Sequence, residues 1–321
     1  MKNSMINKTH IEGLLYQHSL ELRVSGPNSK TPNTQYITGE IEIATDDACL
    51  NIVPVHFTYV TAVTSTGKTN ATFGTLSSII DGSAKSIMKD GKEVASKLRI
   101  DSAIGLNEFY SDRSGKEEFV SVRRNEGGFV HFVDALNPDE TIRNTFEADM
   151  LITSCIRKEA DEERQIPEKV VVKGAIFDFR KSLLPIEFSA TNPNAMNYFE
   201  GLGASNQEPV FTKVWGRQIS ETIVRQIIEE SAFDEPQIKE VPSSRKDFVI
   251  TGALKESYIW NDESTITAAE LTKAMSDREV YLATLKQRND EYKASKAAAA
   301  PTPVAPASNP AATVAPGRFK F

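Results

Sequence analysis

The chain has 321 residues, a formal net charge of -7, 40% hydrophobic and 25% charged residues. That length allows two domains with cores of their own plus a tail, and the composition is ordinary for a soluble globular protein. The acidic balance excludes a protein that holds nucleic acid by overall charge and leaves only a local groove of Lys and Arg for that purpose.

Residues 11–24 are expected to form one strand or two short ones, closing at Gly26-Pro27-Asn28. Residues 25–33 (SGPNSKTPN) have the turn-residue density of an exposed loop. The stretch 35–60 (QYITGEIEIATDDACLNIVPVHFTYV) holds two β-prone runs. Tyr36, Ile37, Ile41 and Ile43 lead the first; Val53, Val55, Phe57 and Tyr59 recur at a spacing of two in the second, the period of a strand with one buried face. Asp46-Asp47 between them favours a turn, because short carboxylates bond their own backbone. Residues 64–68 suit a hairpin turn, and 76–87 fit a short helix or a loop. From 97 to 133 a meander of four strands is expected (97–104, 108–111, 118–123 and 128–133). Its turns fall at Asp112-Arg113-Ser114-Gly115 and Asn125-Glu126-Gly127-Gly128, where glycine supplies the positive φ. Asn137-Pro138-Asp139-Glu140 closes the first unit.

The second unit starts at 146–156, and the charged residues 158–168 make an exposed loop. Residues 170–179 and 184–189 read as paired strands, and 170–191 (VVVKGAIFDFRKSLLPIEFSAT) echoes 35–60. Gly39 corresponds to Gly174, Ile41 to Ile176 and Leu50 to Leu183 or Leu184, while Pro54-Val55 falls near Pro185-Ile186. Two β-rich units of similar plan follow from that echo. Asn192-Pro193 fits an N-cap with proline in the first helical turn, and Gly201 or Gly203 fits the stop. Residues 211–215 are a strand. In 221–233, Ile223 and Ile227 stand four apart with Glu229 and Glu230 outward, which predicts a short amphipathic helix. Residues 248–250 and 258–260 add a last hairpin.

Thr267-Ala268-Ala269-Glu270 is a capping box. The helix it opens runs to Tyr292, with a stripe of Leu271, Met275, Leu282, Leu285 and Tyr292 interrupted by Arg278 and Asn289. Such a stripe docks on the body and does not sustain a long coiled coil. Residues 296–316 are nearly all Ala, Pro, Thr, Val, Ser and Asn and read as an extended linker. The chain ends in Gly317-Arg318-Phe319-Lys320-Phe321, either a peptide that fills a partner's pocket or an incidental terminus. The expected class is mostly β (α+β), divided into β domains at 1–145 and 146–262, a helix at 263–295 and a disordered tail at 296–321.

Residues 62–69 (AVTSTGKT) fit the permissive phosphate-loop pattern, with Lys68 for terminal phosphates and Thr69 for magnesium, and 129–134 (FVHFVD) resembles a strand ending in a magnesium-binding Asp. Against this, Ala62 replaces the first glycine, 70–75 make a poor helix start, and the strand–helix alternation of such folds is missing. A hairpin turn with an exposed lysine is the better reading. His10, His18, His56 and His131 lack metal-ligand spacing, no G-x-S-x-G elbow occurs, and Cys49 and Cys155 read as core residues and not as a disulfide framework. Neither an enzyme nor a cofactor is expected. No apolar run is long enough to cross a bilayer, and MKNSMINKTHIEG lacks the apolar core of a signal peptide, so a cytoplasmic protein without membrane contacts is expected.

Surfaces for single-stranded nucleic acid combine aromatic rings, on which bases stack, with Lys or Arg along the backbone. Phe109 and Tyr110 precede Arg113; Arg123-Arg124 precede Phe129; Phe177 and Phe179, on one face if on a strand, precede Arg180-Lys181; Trp215 is followed by Arg217. Most of these rings are expected in the core. Three or four exposed ones suffice, since stacking contributes roughly 1–3 kcal/mol per base.

Short strands with a barrel-like rhythm, a Pro/Ala linker and a tip ending in phenylalanine are similar to the layout of single-stranded DNA-binding proteins of phage and bacterial replication. Residues 39–45 (GEIEIAT) resemble the barrel strand of that family. The resemblance implies OB-fold barrels that hold the strand and a tail tip that recruits replication or recombination proteins, here Arg318, Phe319, Lys320 and Phe321. Two departures are evident: the family's tip is acidic with a final Pro-Phe, and the bacterial protein has one short barrel, so a phage version fits better. The expectation is a single-stranded DNA-binding protein of phage-type replication or recombination. Phe57, Tyr59, Phe109, Tyr110, Phe177, Phe179 and Trp215 would stack on bases, and Lys68, Arg123, Arg124, Arg180, Lys181 and Arg217 would neutralise phosphates. A β-rich virion or tail component is the rival reading, followed by a phosphate-loop nucleotide binder.

Overall fold

Five strands and a helix make one barrel, and the same arrangement then recurs. The computed structural model describes residues 5–161, 166–229, 237–259, 261–263 and 265–299. In the first unit, β1 (Asn7–His18) pairs antiparallel with β3 (Gln35–Ala44) and with β5 (Lys97–Ser111). Strand β3 pairs with β4 (Ile52–Thr61), and β5 with β6 (Glu118–Phe132). A parallel contact between β4 and β6 closes the barrel, and the short β2 (Glu21–Val24) lengthens the β3 edge. Helix α1 (Ala71–Ile80) lies between the third and fourth barrel strands, followed by the short turn α2 (Ile87–Asp90).

The second unit repeats the plan. Strand β7 (Asn144–Lys158) pairs with β8 (Lys169–Phe177) and β10 (Val210–Glu229), β8 with β9 (Leu183–Ala190), and β10 with β11 (Gln237–Ala253). Strands β9 and β11 close it in parallel, and α3 (Pro193–Gly201) again separates the third and fourth strands. Each unit is therefore a five-stranded Greek-key barrel of the OB type. Strands β1 and β7 pair antiparallel, with Lys8 opposite Glu147, so the two barrels share one continuous sheet.

Alternation fills each barrel. Ile37, Ile41, Ile43, Val53, Val55 and Phe57 bury one face of β3 and β4, sealed by Leu76 and Ile79 of α1. Phe146, Met150, Ile176 and Phe188 fill the second barrel under Met196 and Phe199 of α3. Helix α3 starts as expected, with the Asn192 side chain accepting from the Asn194 N–H and Pro193 in its first turn; α1 starts against expectation, where the Asn70 side chain accepts from the Thr72 N–H. The echoed residues fall on equivalent strands, Gly39 and Gly174 on the second, Pro54 and Pro185 on the third. A Cβ at Gly174 would sit 2.0 Å from the Leu151 carbonyl oxygen, so that close crossing of strands requires glycine. Leu50 lies in the β3–β4 turn and has no strand counterpart.

A third cluster lies outside the second barrel. Phe177, Leu183 and Phe211 point away from the barrel interior and are covered by Ile266, just before α4 (Ala268–Ala299), and by Ala274 within it. The capping box forms in full: Thr267 N–H donates to Glu270 Oε2 at 3.1 Å and Glu270 N–H to Thr267 Oγ1 at 3.2 Å. Compact structure divides within this helix, into Met1–Glu279 and Val280–Phe321.

Several expectations are corrected. The four-strand meander is two long strands, because Gly127 and Gly128 (φ 66° and 115°) form a bulge opposite Ser102 and not a turn. Residues 221–229 are strand, not helix, paired along their length with β11. Thr222, Ile223, Val224, Ile227 and Ile228 are β-branched, and that outweighs a single four-residue spacing. Tyr258 adds no hairpin; its N–H donates to the Phe211 carbonyl at 2.7 Å. Cys49 sits in the β3–β4 turn at φ 57° and is only half-buried, as is Cys155. Residues 230–233, Trp260 and the tail 300–321 lie outside the described residues. No described helix is long and apolar enough to cross a membrane.

Candidate nucleic-acid interface

In an OB barrel the outward face of the second and third strands, with the loop after the first strand and the hairpin between the fourth and fifth, is where oligonucleotides lie. In the first unit that face is built by β3 and β4. A bulge governs it: Ile37 pairs with Val60 but Gly39 with Phe57, so Thr58 and Tyr59 together oppose Thr38. Phe57 therefore points inward and is fully buried, while Tyr59 turns outward and is 44% exposed. Its ring meets Tyr36 with centroids 4.5 Å apart, and its hydroxyl lies 2.6 Å from Thr31 Oγ1 in the loop after the first strand. The pair is a two-ring platform held by that loop.

Strand β6 continues the face beside β4. Arg124 Nη2 bonds Glu126 Oε1 at 2.9 Å, and Thr58 Oγ1 donates to the same oxygen at 3.1 Å. The β5–β6 hairpin then extends past the barrel. One of its faces, with Arg124, Val122 and Phe109, is open; Phe109 and Val122 are exposed. The other face, with Glu108, Tyr110 and Arg123, turns to the second unit. There Arg123 stands 4.9 Å above the Phe248 ring, bonds the Glu187 carbonyl and approaches Asp247 at 4.0 Å. Burial pulls its pKa below the usual arginine value, with Asp247 and Glu187 opposing. Arg123 thus joins the two units and is not free for phosphate.

The remaining expected residues separate into distinct places. Tyr110 is half-buried against Phe119, 5.6 Å between centroids. Phe177 is fully buried beneath α4, and β8 ends there, so Phe179 does not share its face. Phe179 sits in the β8–β9 turn, 88% exposed, with the Arg180 guanidinium 5.0 Å from its ring and Lys181 beside it at φ 64°. Trp215 and Arg217 lie on the outward face of β10 next to β7, where Lys213 Nζ is 5.9 Å from the indole; this surface is separate from the β3–β4 face. Lys68 projects from the turn before α1. That turn does lead into a helix, contrary to expectation, because Asn70 caps it. Yet Gly67 N–H donates to the Thr64 carbonyl at 2.9 Å, Lys68 N–H to Thr64 Oγ1 at 3.2 Å and Asn70 N–H to the Ala62 carbonyl at 2.9 Å. Those amides close the turn, which leaves no phosphate cradle. Tyr36 was missed, although its place at the head of the alternating β3 run offered the signal. The expected tip residues Arg318, Phe319, Lys320 and Phe321 lie outside the described residues.

Electrostatically the face is mixed. Burial, then Glu42, raises the pKa of Glu40, while Lys246 and Arg124 oppose. Burial, then Arg124, lowers that of His56, with Glu126 opposing. A carboxyl with a raised folded pKa favours the folded state below its unfolded pKa, and that contribution is lost as pH rises through the folded value. Glu40→Gln is therefore expected to stabilise the protein by roughly 0.5 kcal/mol at pH 7 and by less near pH 4. Urea melts at the two pH values check it; an equal or opposite effect at pH 7 would contradict the assigned cause.

No curated protein matches the chain. Among solved structures, a deletion mutant of the single-stranded DNA binding protein from Thermus aquaticus is similar at a TM-score of 0.42 and 10% identity, over 79% of this chain and 95% of that one. The profile of the YorF family matches residues 6–288, most of the sequence, and the protein belongs to that family.

Proposed function

We propose that the protein binds single-stranded DNA, without catalysis, along the β3–β4 face and the open side of the β5–β6 hairpin. The observation behind this reading is the unequal state of the two OB faces. The first presents the Tyr36–Tyr59 platform at one end and, at the other, the exposed Phe109 with Arg124, whose guanidinium is paired with Glu126. On the second, the equivalent strands are covered by α4 residues and crossed by Arg123. An open OB face with exposed rings and a cation suits stacked bases and their phosphates. A role in phage-type replication or recombination, with the tip at 318–321 recruiting other proteins of that process, completes the proposal.

Fluorescence anisotropy with a labelled oligo-dT tests it, with an oligo-U arm to separate DNA from RNA. Binding is expected to weaken with salt, log K falling by about 0.7 per neutralised phosphate for each unit of log salt. No binding at low salt would overturn the reading.

A further inference from the structure

Six buried side-chain nitrogen or oxygen atoms among the described residues lack a hydrogen-bond partner, and three of them belong to Arg124 (Nε), Asn125 (Oδ1) and Gln218 (Nε2). These three residues line one cavity of about 300 Å³ between the units, together with Pro54, Lys246 and Phe248. Asn125 and Gln218 are 3% and 4% exposed. Their orientation is fixed, because Asn125 Nδ2 donates to Gln218 Oε1 at 2.8 Å and to the Pro54 carbonyl at 3.1 Å; the main-chain carbonyl of Gln218 separately accepts from Asn144 Nδ2 at 2.6 Å. An acceptor, Asn125 Oδ1, and a donor, Gln218 Nε2, are thereby left without partners, on two residues already joined through Asn125 Nδ2 and Gln218 Oε1. Orphaned polar groups at such depth are destabilising unless something satisfies them.

We propose that this cavity receives one nucleobase of the bound strand, whose edge supplies the missing donor and acceptor. The hydrogen-bonding edge of every nucleobase offers a donor next to an acceptor, which matches the pair left by Asn125 and Gln218. Pro54 gives the ring an apolar wall and Phe248, with Arg123 already 4.9 Å above its ring, a second one, while Arg124 and Lys246 supply positive charge for the adjoining phosphate. The lining carboxylate, Asp247, is already engaged by Lys169 at 2.6 Å and by Ser189 at 2.8 Å, so it does not repel the strand from this cavity. The cavity adjoins the open face, because Pro54 of β4 lines it. This inference rests on the strand-binding reading and adds a base-holding subsite to it.

Photo-cross-linking of the unaltered protein to an oligo-dT carrying single 4-thiothymidines tests it, read by mass spectrometry of the linked peptides. Cross-links within 121–125, 218–220 or 246–248 are expected from one or more positions. Gln218→Met, which keeps the size but removes the donor, is expected to lower oligonucleotide affinity about tenfold. Binding with cross-links confined to the Tyr36–Tyr59 platform and the hairpin, and with no effect of Gln218→Met, would mean that only water fills the cavity; the pocket then falls and strand binding stands. Failure of the oligonucleotide to bind at all overturns both. If Gln218→Met does not fold, the cross-links of the unaltered protein alone decide.

Discussion

Replacing Tyr36 and Tyr59 together by alanine is expected to weaken oligo-dT binding by about 5- to 150-fold, the equivalent of roughly 1–3 kcal/mol for one lost stacking platform. The two rings touch at 4.5 Å, and Tyr59 is 44% exposed, so their removal takes away one continuous surface and little of the core. Phe57→Ala is the matched comparison. Phe57 is two residues away on the same strand but fully buried, and its truncation is expected to lose about 3–5 kcal/mol of stability. The double tyrosine variant should melt close to the unaltered protein while binding poorly; Phe57→Ala should melt far earlier. Unchanged affinity in the tyrosine variant would remove the β3–β4 face from the interface.

That contrast also shows where the sequence stops being informative. Val53, Val55, Phe57 and Tyr59 keep a perfect spacing of two, which places all four on one face. The bulge that sends Tyr59 to the other face arises from how β4 pairs with β3, and a single extra residue reverses every side chain beyond it. Signals confined to a few neighbouring residues were legible: the Asn192 side chain caps α3, Thr267 and Glu270 close their box, and the glycines and prolines of the echo occupy equivalent strands. The Asn70 cap is less legible, because Gly74 and the threonines after it weaken the helix signal of 70–75. The Asn125–Gln218 seam joins residues 93 positions apart and leaves no local pattern at all. The helix expected at 221–233 failed for a related reason, since the long β10–β11 ladder supplies pairing that periodicity within one segment does not reveal.

Phe177→Ala is expected to destabilise the protein by about 3–5 kcal/mol and, more tellingly, to loosen the start of α4. Its neighbour Ile176 faces the barrel interior, whereas Phe177 faces outward beneath Ile266 and Ala274, so its burial depends on the helix and not on the barrel. The same helix is fixed by Arg278, which reaches Glu108 of the β5–β6 hairpin at 2.5 Å and the Leu183 carbonyl at 3.4 Å, both partners being largely buried in the pair. Arg278→Met leaves Glu108 as a buried charge with the Ser121 hydroxyl but no cation beside it and is expected to destabilise by roughly 3–5 kcal/mol, most of which Glu108→Gln in the same chain restores. Hydrogen exchange distinguishes this arrangement from simple core damage. Amides across 268–279 should exchange faster in Phe177→Ala under conditions where the barrel strands β7 and β8 remain protected. Loss of stability with unchanged relative protection of 268–279 would place Phe177 with the barrel core and remove the cover from the second OB face. With the cover in place, the two barrels are unequal by construction: one leaves the Tyr36–Tyr59 platform exposed, and the other uses the corresponding face to seat the helix and hold the neighbouring hairpin.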